Sequence, residues 1–363
     1  MVKIGILGGR LGECNYSEPY RKWMDNVPEE HIEDGWILNE AALVAAIEHK
    51  YPDAEVKYLK NFNEKVLQKN DVNFLVGVNL LNAWHGSSSM HKKWLSIMKN
   101  KKNNIYPPLS EQNFLYNKGD YLKYYEKLGV PIAPTFLIKK TRDASKIIQE
   151  ARNKGWKGFV VKPDYAFANI EISKYELESE ENTYVTESFY SDDVSIPEKS
   201  ESFYSDLTDE GTDDKVKKEL EKYLKNTKQF PGLVCQQKME GFVKKWEVKS
   251  FWINGEYKYH VAMKAWPPPE SFGNVSKKSL VEIKKIAQKV LDNYPETKIK
   301  GKVVRPLFLR IDLGCCQGNT LDSTKYFLNE IEYAGCGTFT DVKNVFHYWP
   351  EAYYKKALEI SQL

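Results

Sequence analysis

Long apolar runs are missing from this 363-residue chain. Nothing approaches the ~20 residues a helix needs to cross a bilayer, so no membrane span is expected. The opening Met1-Val2-Lys3-Ile4-Gly5-Ile6-Leu7-Gly8-Gly9 is too short an apolar run for a signal peptide and reads as a first strand. Cysteine is sparse: Cys14, Cys235, Cys315, Cys316 and Cys336 are odd in number and lack metal-ligand spacing. Reduced thiols in a cytoplasmic protein are the simplest account, and the vicinal Cys315-Cys316 pair has no histidine nearby to make a metal site. Histidines number six. His85, His91 and His260 are isolated, which leaves no triad and assigns them structural or supporting roles. No helix-turn-helix, zinc finger or Lys/Arg stripe with interleaved aromatics is present, so nucleic acid is not an expected partner. Gly8-Gly9-Arg10-Leu11-Gly12 misses the dinucleotide spacing and runs into a polar loop, a poor phosphate cradle.

Charge is present in both signs but unevenly placed. Of 53 basic and 50 acidic residues, the stretch from Tyr175 to Asp214 holds fourteen Asp or Glu and one Lys. The remainder keeps 52 basic and 36 acidic residues, a net of +16. A basic body that handles anions, plus an acidic segment, fits that split. Residues 174–229 are rich in Ser, Glu, Asp and Tyr and poor in aliphatics. Glu187-Ser188-Phe189-Tyr190-Ser191-Asp192 recurs as Glu201-Ser202-Phe203-Tyr204-Ser205-Asp206. Such a composition buries too little apolar surface to offset ordering, so disorder or a mobile flap is expected, with a charged helix over 215–228. As a flap it would act as a lid, its acids meeting a basic substrate or the cationic cleft; a solvated loop is the plain alternative.

The remainder alternates in period, and its length suffices for two or three packed units. Strands are expected at 3–8, 54–59 and 72–78 and helices at 39–50 and 90–99, a βαβ rhythm implying a small parallel sheet over 1–105. A helix over 118–128 closes at Gly129, followed by a strand at 135–138, a helix at 144–154 and a strand at 158–162. Strands at 233–238, 247–253 and 257–264 precede a helix at 277–292.

Near the end, two strand-like runs carry acid on one face. Alternation puts Arg310 and Asp312 together, away from Leu309, Ile311 and Leu313. It likewise puts Glu330 and Glu332 opposite Asn329, Ile331 and Tyr333. Gly314-Cys315-Cys316-Gln317-Gly318-Asn319 is turn-rich enough to fold the runs into an antiparallel pair. Neighbouring carboxylates repel unless neutralised, and a hard divalent cation such as Mg²⁺ is the usual neutraliser. An exposed acidic sheet face is the competing reading. Lys162 ends an apolar strand, where a bare buried ammonium would cost several kcal/mol; it needs an anionic partner, either a carboxylate or a phosphate.

In chain order the pieces are Asn117-Lys118, Leu128-Gly129-Val130-Pro131, Val160-Val161-Lys162-Pro163, Gln236-Gln237-Lys238-Met239-Glu240-Gly241, Arg310-Ile311-Asp312 and Asn329-Glu330-Ile331-Glu332. Over roughly 105–340 that series resembles the ATP-grasp superfamily, in particular its peptide-ligase-like members such as D-alanine–D-alanine ligase, glutathione synthetase and the ligases of ribosomal protein tails. The resemblance implies an α/β protein of the α+β ATP-grasp kind. Its parts would be a preceding domain over 1–105, a first lobe over 106–250 holding the insertion 174–229, and a second lobe over 251–363 with the metal-binding strands.

The same resemblance implies roles. Lys118 and Lys162 would hold ATP phosphates, Gln236, Gln237 and Met239 the adenine, and Glu247 the ribose. Lys249, Lys264 and Asn274 would face the γ-phosphate and an acyl phosphate. Arg310 would stabilise developing charge, and Asp312, Glu330 and Glu332 would bind Mg²⁺, with Mn²⁺ a substitute. Two departures stand out: Glu332 occupies a position where the family typically has Asn, and Asp164-Tyr165-Ala166-Phe167-Ala168-Asn169 replaces a Gly/Ser-rich phosphate loop. The implied activity is an ATP-dependent carboxylate–amine ligase releasing ADP and phosphate, in a monomer or dimer. Its substrates would be a small carboxylate and an amine, such as amino acids or peptides, with a protein tail also open. A small-molecule kinase or a non-catalytic nucleotide binder is the alternative. Trp84, Trp266 and Phe272 offer either packing or a floor for a planar substrate.

Overall fold

The computed structural model describes the chain except residues 8–12, 15–26, 28–31, 34–35, 60–62, 77–87, 140–141, 165–173, 178–183, 188–202, 207–212, 229–231, 240, 243–245, 265–270, 319, 334–335 and 341–344. The Gly8–Gly12 turn, the first hexapeptide copy beyond Glu187, the loop after Asp164, and Trp84, His85 and Trp266 therefore lie outside the described residues.

The expected βαβ rhythm is present. Strand β1 (Val2–Leu7), helix α1 (Asn39–Lys50), strands β2 (Ala54–Leu59) and β3 (Val72–Leu75), helix α2 (Ser88–Lys99) and strand β4 (Ile105–Tyr106) follow in order. The strands form a parallel sheet in the order β2-β1-β3-β4. The inner strands β1 and β3 are buried along nearly their whole length, whereas the edge strand β2 alternates. Ile4, Ile6, Val72 and Phe74 are all fully buried.

Helices α3 (Leu109–Tyr116) and α4 (Lys118–Lys127) come next. α4 ends as expected: Gly129 adopts φ +73°, a left-handed conformation that costs glycine little. Strand β5 (Thr135–Ile138), helix α5 (Ala144–Asn153), strands β6 (Gly158–Pro163) and β7 (Phe203–Asp206), helix α6 (Asp213–Asn226) and strand β8 (Leu233–Gln237) build a small lobe. Its four strands are antiparallel in the order β7-β6-β8-β5. Ile147, Ile148, Ala151, Val216, Leu220 and Leu224 from the two helices pack with Phe159, Val161, Leu233 and Cys235 from the sheet.

Within 174–229 the described residues form strands and the expected charged helix. Lys174–Leu177 pairs with Tyr184–Glu187, α6 seals the lobe's core, and the second hexapeptide copy supplies β7. The reason is local. Phe203 and Tyr204, strand-favouring aromatics in an acidic stretch, align with Val161 and Val160 on the open edge of β6.

A five-stranded antiparallel sheet completes the fold, with β9 (Glu247–Ile253), β10 (Glu256–Lys264), β11 (Ser271–Gly273), β12 (Phe308–Cys315) and β13 (Tyr326–Glu332) in the order β11-β10-β9-β12-β13. Helix α7 (Lys277–Asp292) covers one face through Ile283, Ile286, Ala287 and Val290. Helix α8 (Tyr348–Ser361) returns to the parallel sheet, packing beside α1 and β1.

The buried residues divide into two clusters. One runs from β1 through α3 and α4 to the five-stranded sheet and α8; the other is the small lobe alone. Tyr121 and Tyr125 of α4 belong to the large body, and the Tyr121 hydroxyl accepts the Ile331 N–H of β13 (3.2 Å). Lys118 is therefore carried by the large body and Lys162 by the small lobe.

Candidate active site

Cross-strand register builds the floor of the site. It lines up Lys249, Asp312 and Glu330 in one row and Phe251, Arg310 and Glu332 in the next. Residues directly opposite in an antiparallel pair share a face, so acid and base share the surface that α7 does not cover. Carboxylate oxygens of Asp312, Glu330 and Glu332 lie within 4.8 Å of one another. The exposed-acidic-face reading falls away: Asp312 is 0 % exposed, Glu332 7 % and Arg310 5 %.

Burial on this scale requires partners. The Asp312 carboxylate accepts Arg310 Nε–H (2.9 Å) and Arg310 Nη2–H (2.8 Å), and also Lys249 Nζ–H (2.9 Å). Arg310 also pairs with Glu332 and donates to the Gly337 carbonyl (3.2 Å). Lys118, at the start of α4, pairs with Glu330. Burial alone would raise the Asp312 carboxyl, but Arg310 and Lys249 hold it below the ordinary carboxylate range. Burial, reinforced by the charges of Glu330 and Asp312, pushes Glu332 up to about 7 against the pull of Arg310. Burial works to lower Lys118 and Lys249, but the carboxylates beside each prevail and raise both.

Lys162 differs from the other cations. Its ammonium donates to Asn329 Oδ1 (2.9 Å) rather than to a carboxylate, the first of the two partners expected for it. Burial first, then the Lys118 charge, lowers it to about 8. A phosphate would supply the anion it lacks.

Asn329 is the residue that strict alternation misplaces. Asp312 pairs with Glu330 but Leu313 pairs with Leu328, so Asn329 opposes no residue and forms a β-bulge. The bulge lets Asn329 join Lys162 along one cleft instead of facing α7. The cleft, open to solvent, is lined by Ala133, Val160, Lys162, Gln236, Gln237, Met239, Phe242, Phe327 and Asn329. The four expected residues Lys162, Gln236, Gln237 and Met239 thus meet there. Gln236 is held by a hydrogen bond from Nε2 to Thr135 Oγ1 (3.2 Å). Beyond β8, the Gly241 N–H donates to the Cys316 carbonyl, and a Cβ at Gly241 would lie 2.5 Å from Gln317 N. Only glycine lets the strand exit run that close to the β12–β13 link.

Other expected residues are engaged or elsewhere. Both Glu247 oxygens are taken, one by Asn329 Nδ2 (2.7 Å) and one by Lys249 Nζ (2.7 Å), so Glu247 links two lysines through hydrogen bonds. Lys264 ends β10 paired with Ser271. Val261 and Met263 occupy the Lys249 and Glu247 rows, so alternation sends Lys264 to the opposite face and the structure does not bring it to the cluster. Asn274 is exposed in the link before α7. His260 hydrogen-bonds Tyr257 (2.5 Å), also away from the cluster. Phe272 is 43 % exposed and packs edge-on against Phe339, with ring centroids 6.2 Å apart.

No protein-family model matches the chain, and no curated protein matches it. Solved structures do. D-cycloserine synthetase DcsG superposes with a TM-score of 0.59 at 12% identity, covering 98% of this chain and 99% of that one. The D-alanine–D-alanine ligase of Bacillus anthracis superposes with a TM-score of 0.57 at 10% identity, covering 100% and 99%. The macrocyclase MdnC of Microcystis aeruginosa MRC, solved with its precursor peptide MdnA, gives 0.51 at 12% identity, covering 97% and 98%. Coverage near the full length of both chains extends the likeness over the parallel-sheet domain as well as both lobes. With its antiparallel small lobe set against a five-stranded sheet, the chain has the ATP-grasp fold of these α/β ligases.

Proposed function

We propose that the protein is an ATP-dependent carboxylate–amine ligase, forming an amide through an acyl phosphate and releasing ADP and phosphate. One observation carries the reading: a buried lysine and a half-buried one from separate cores, Lys118 and Lys162, converge beside Arg310 and a triad of close carboxylates. A half-buried cation whose hydrogen-bond partner is a neutral amide, lining a cleft, suits a phosphate better than it suits a structural role.

The donor set is all oxygen and anionic, which fits a hard divalent cation; Asp312, Glu330 and Glu332 would hold it. Mg²⁺ there would neutralise phosphate charge during transfer. The chain's own groups supply the rest. Gln236, Gln237, Met239 and Lys162 border the cleft where the base would lie, and Lys162, with Lys118 beside Glu330, would neutralise phosphate oxygens. Phosphoryl transfer to a substrate carboxylate leaves ADP and a mixed anhydride. An amine then attacks the carbonyl carbon, and phosphate departs as the amide forms. Arg310, held by Asp312 and the Gly337 carbonyl, is oriented to stabilise the oxyanion. Amino acids or peptides are the proposed substrates, because neighbours of this fold include a D-alanine–D-alanine ligase and a macrocyclase solved with its precursor peptide. Cys235, Cys315, Cys316 and Cys336 are free thiols, in keeping with a cytoplasmic setting.

The test is a screen of amino acids and small acids in pairs. Phosphate release from ATP that requires both a carboxylate and an amine is the expected result. Transfer to a hydroxyl without free phosphate would replace the reading with a kinase. Failure to bind ATP at all would overturn it.

A further inference from the structure

Immediately after Lys162-Pro163, where the family resemblance leads one to expect a Gly/Ser-rich loop, the chain carries a buried acid, Asp164, 7 % exposed. Its Oδ1 accepts the Gly119 N–H at 2.7 Å. Gly119 lies in the first turn of α4, next to Lys118, and Asp164 lies on the small lobe. The contact therefore crosses from one core to the other. Glycines flank it on both sides. A Cβ at Gly119 would lie 2.7 Å from Leu137 Cδ2 and 3.4 Å from both Asp164 carboxylate oxygens. A Cβ at Gly232 would lie 3.1 Å from Asp164 Oδ2, and the Asp164 N–H is itself fixed to the Gly232 carbonyl (3.0 Å).

The first turn of a helix has N–H groups without partners inside the helix and the positive end of its dipole, so a carboxylate there is favoured twice over. The helix's own cap leaves this position open: Asn117 is engaged with Asp120, accepting its N–H (3.4 Å) and donating to its carboxylate (2.6 Å). Asp164 fills the gap from another lobe. Lys162 and Asp164, two apart on one chain segment, thus both reach into the large body, one to Asn329 of β13 and the other to the start of α4.

We propose that Asp164 is a positioning residue that clips the small lobe to the start of α4 and so fixes Lys118 relative to Lys162. Its part in nucleotide binding rests on the ligase reading above; the clip between the lobes does not. A small lobe swung away would break the Asp164 and Lys162 contacts together and part the two lysines. Substitutions at Asp164 therefore act on ATP through the placement of Lys118, without touching ATP.

The test uses the full chain and calorimetric titration with a non-hydrolysable ATP analogue plus Mg²⁺. Asp164→Ala should weaken binding about tenfold, the size of a lost charged helix cap. Asp164→Asn, which keeps an oxygen for the Gly119 N–H, should recover most of that loss. Lys118→Ala combined with Asp164→Ala should be no weaker than Lys118→Ala alone, because Asp164 acts through Lys118. Unchanged affinity in Asp164→Ala, or losses that multiply in the double variant, would overturn the inference.

Amide hydrogen exchange over 117–121 in nucleotide-free protein reads the clip independently of the ligase assignment. Asp164→Ala should speed exchange at Gly119 about tenfold, and equal exchange in wild type and variant refutes the clip. Wild type that binds no analogue, yet shows the exchange difference, would sink the ligase reading and leave the clip standing.

Discussion

Asn329→Ala should move the pH dependence of nucleotide use, and the structure sets the size of the effect. Lys162 is lowered to about 8 while its ammonium still donates to Asn329 Oδ1 at 2.9 Å. A hydrogen bond to a charged group contributes roughly 1.5 kcal/mol, and one pKa unit corresponds to about 1.4 kcal/mol. Removing the acceptor should therefore drop Lys162 by about one unit, to near neutrality. At pH 7.5 the charged fraction would fall from about three-quarters to about one-quarter, a roughly threefold rise in KM for ATP. At pH 6 both forms are almost fully charged and the two KM values should converge. The assay is steady-state KM for ATP from pH 6 to 8.5, with the second substrate saturating. Asn329→Asp, which offers a carboxylate at the same place, should shift the alkaline limb upward instead. A constant ratio between variant and wild type across this range would refute the reasoning, because a purely steric defect has no pH signature.

Asp312→Asn leaves the buried Arg310 and the half-buried Lys249 with one anion fewer; it should cost about 3–5 kcal/mol by denaturant titration and abolish turnover, so full activity would remove the metal-site assignment. Glu332→Asn should be tolerated within about tenfold in kcat, since Arg310 keeps Asp312; a loss as complete as that of Asp312→Asn would refute this. Glu111 is buried in the large body, accepting from Tyr294 (3.1 Å) and Thr297 (2.9 Å), and burial raises it to about 7. The folded state thus binds its proton more tightly than the unfolded chain, whose carboxyl titrates near ~4.3, so the stabilisation is complete below that value and lost as pH rises through about 7. Wild type should lose about 2–3 kcal/mol more than Glu111→Gln between pH 5 and 8, and parallel stability curves would exclude it. Finally, Mg²⁺ alone would have to take Glu330 from Lys118, whereas a phosphate arriving with it gives Lys118 a new partner. Calorimetry should show Mg²⁺ binding only when nucleotide is present, and tight binding of the metal by itself would contradict the pairing argument.

What could be read from the sequence follows from the range over which each interaction acts. Period-two alternation is local, and it put Arg310 with Asp312 and Glu330 with Glu332. Helix ends are local too: α4 closes at Gly129 and α7 begins after a Ser276 cap, whose side chain accepts the Ser279 N–H. The Asn329 bulge is not local, because two residues opposing one is a property of a strand pair. The same holds for β7, whose acidic repeat becomes a strand only because the edge of β6 is there to receive it. Lys264 shows the converse failure. Its place in the series suited a phosphate contact, but the register of β9 and β10 sends its side chain to the other face.

The deeper gap lies between order along the chain and membership of a core. Residues 106–250 read as one lobe because the two lysines, the insertion and the Gln236–Met239 segment follow one another without a break. Burial divides them otherwise: α3 and α4 join the large body through Leu115, Tyr121, Leu122 and Tyr125, and only the segment from β5 to β8 builds the second core. No local pattern encodes that division, since the stripe of tyrosines on α4 would suit either partner. The division is nonetheless what gives the site its logic. A phosphate held between Lys118 and Lys162 would lie between two separately packed cores, each lysine carried by its own. Contacts that cross the seam, Lys162 to Asn329 and Asp164 to Gly119, then set the separation of the two lysines. Charge balance makes the arrangement tolerable without nucleotide. Lys118, Lys162, Lys249 and Arg310 face Glu247, Asp312, Glu330 and Glu332, and among these Lys162 alone has a neutral side chain, Asn329, as its hydrogen-bond acceptor.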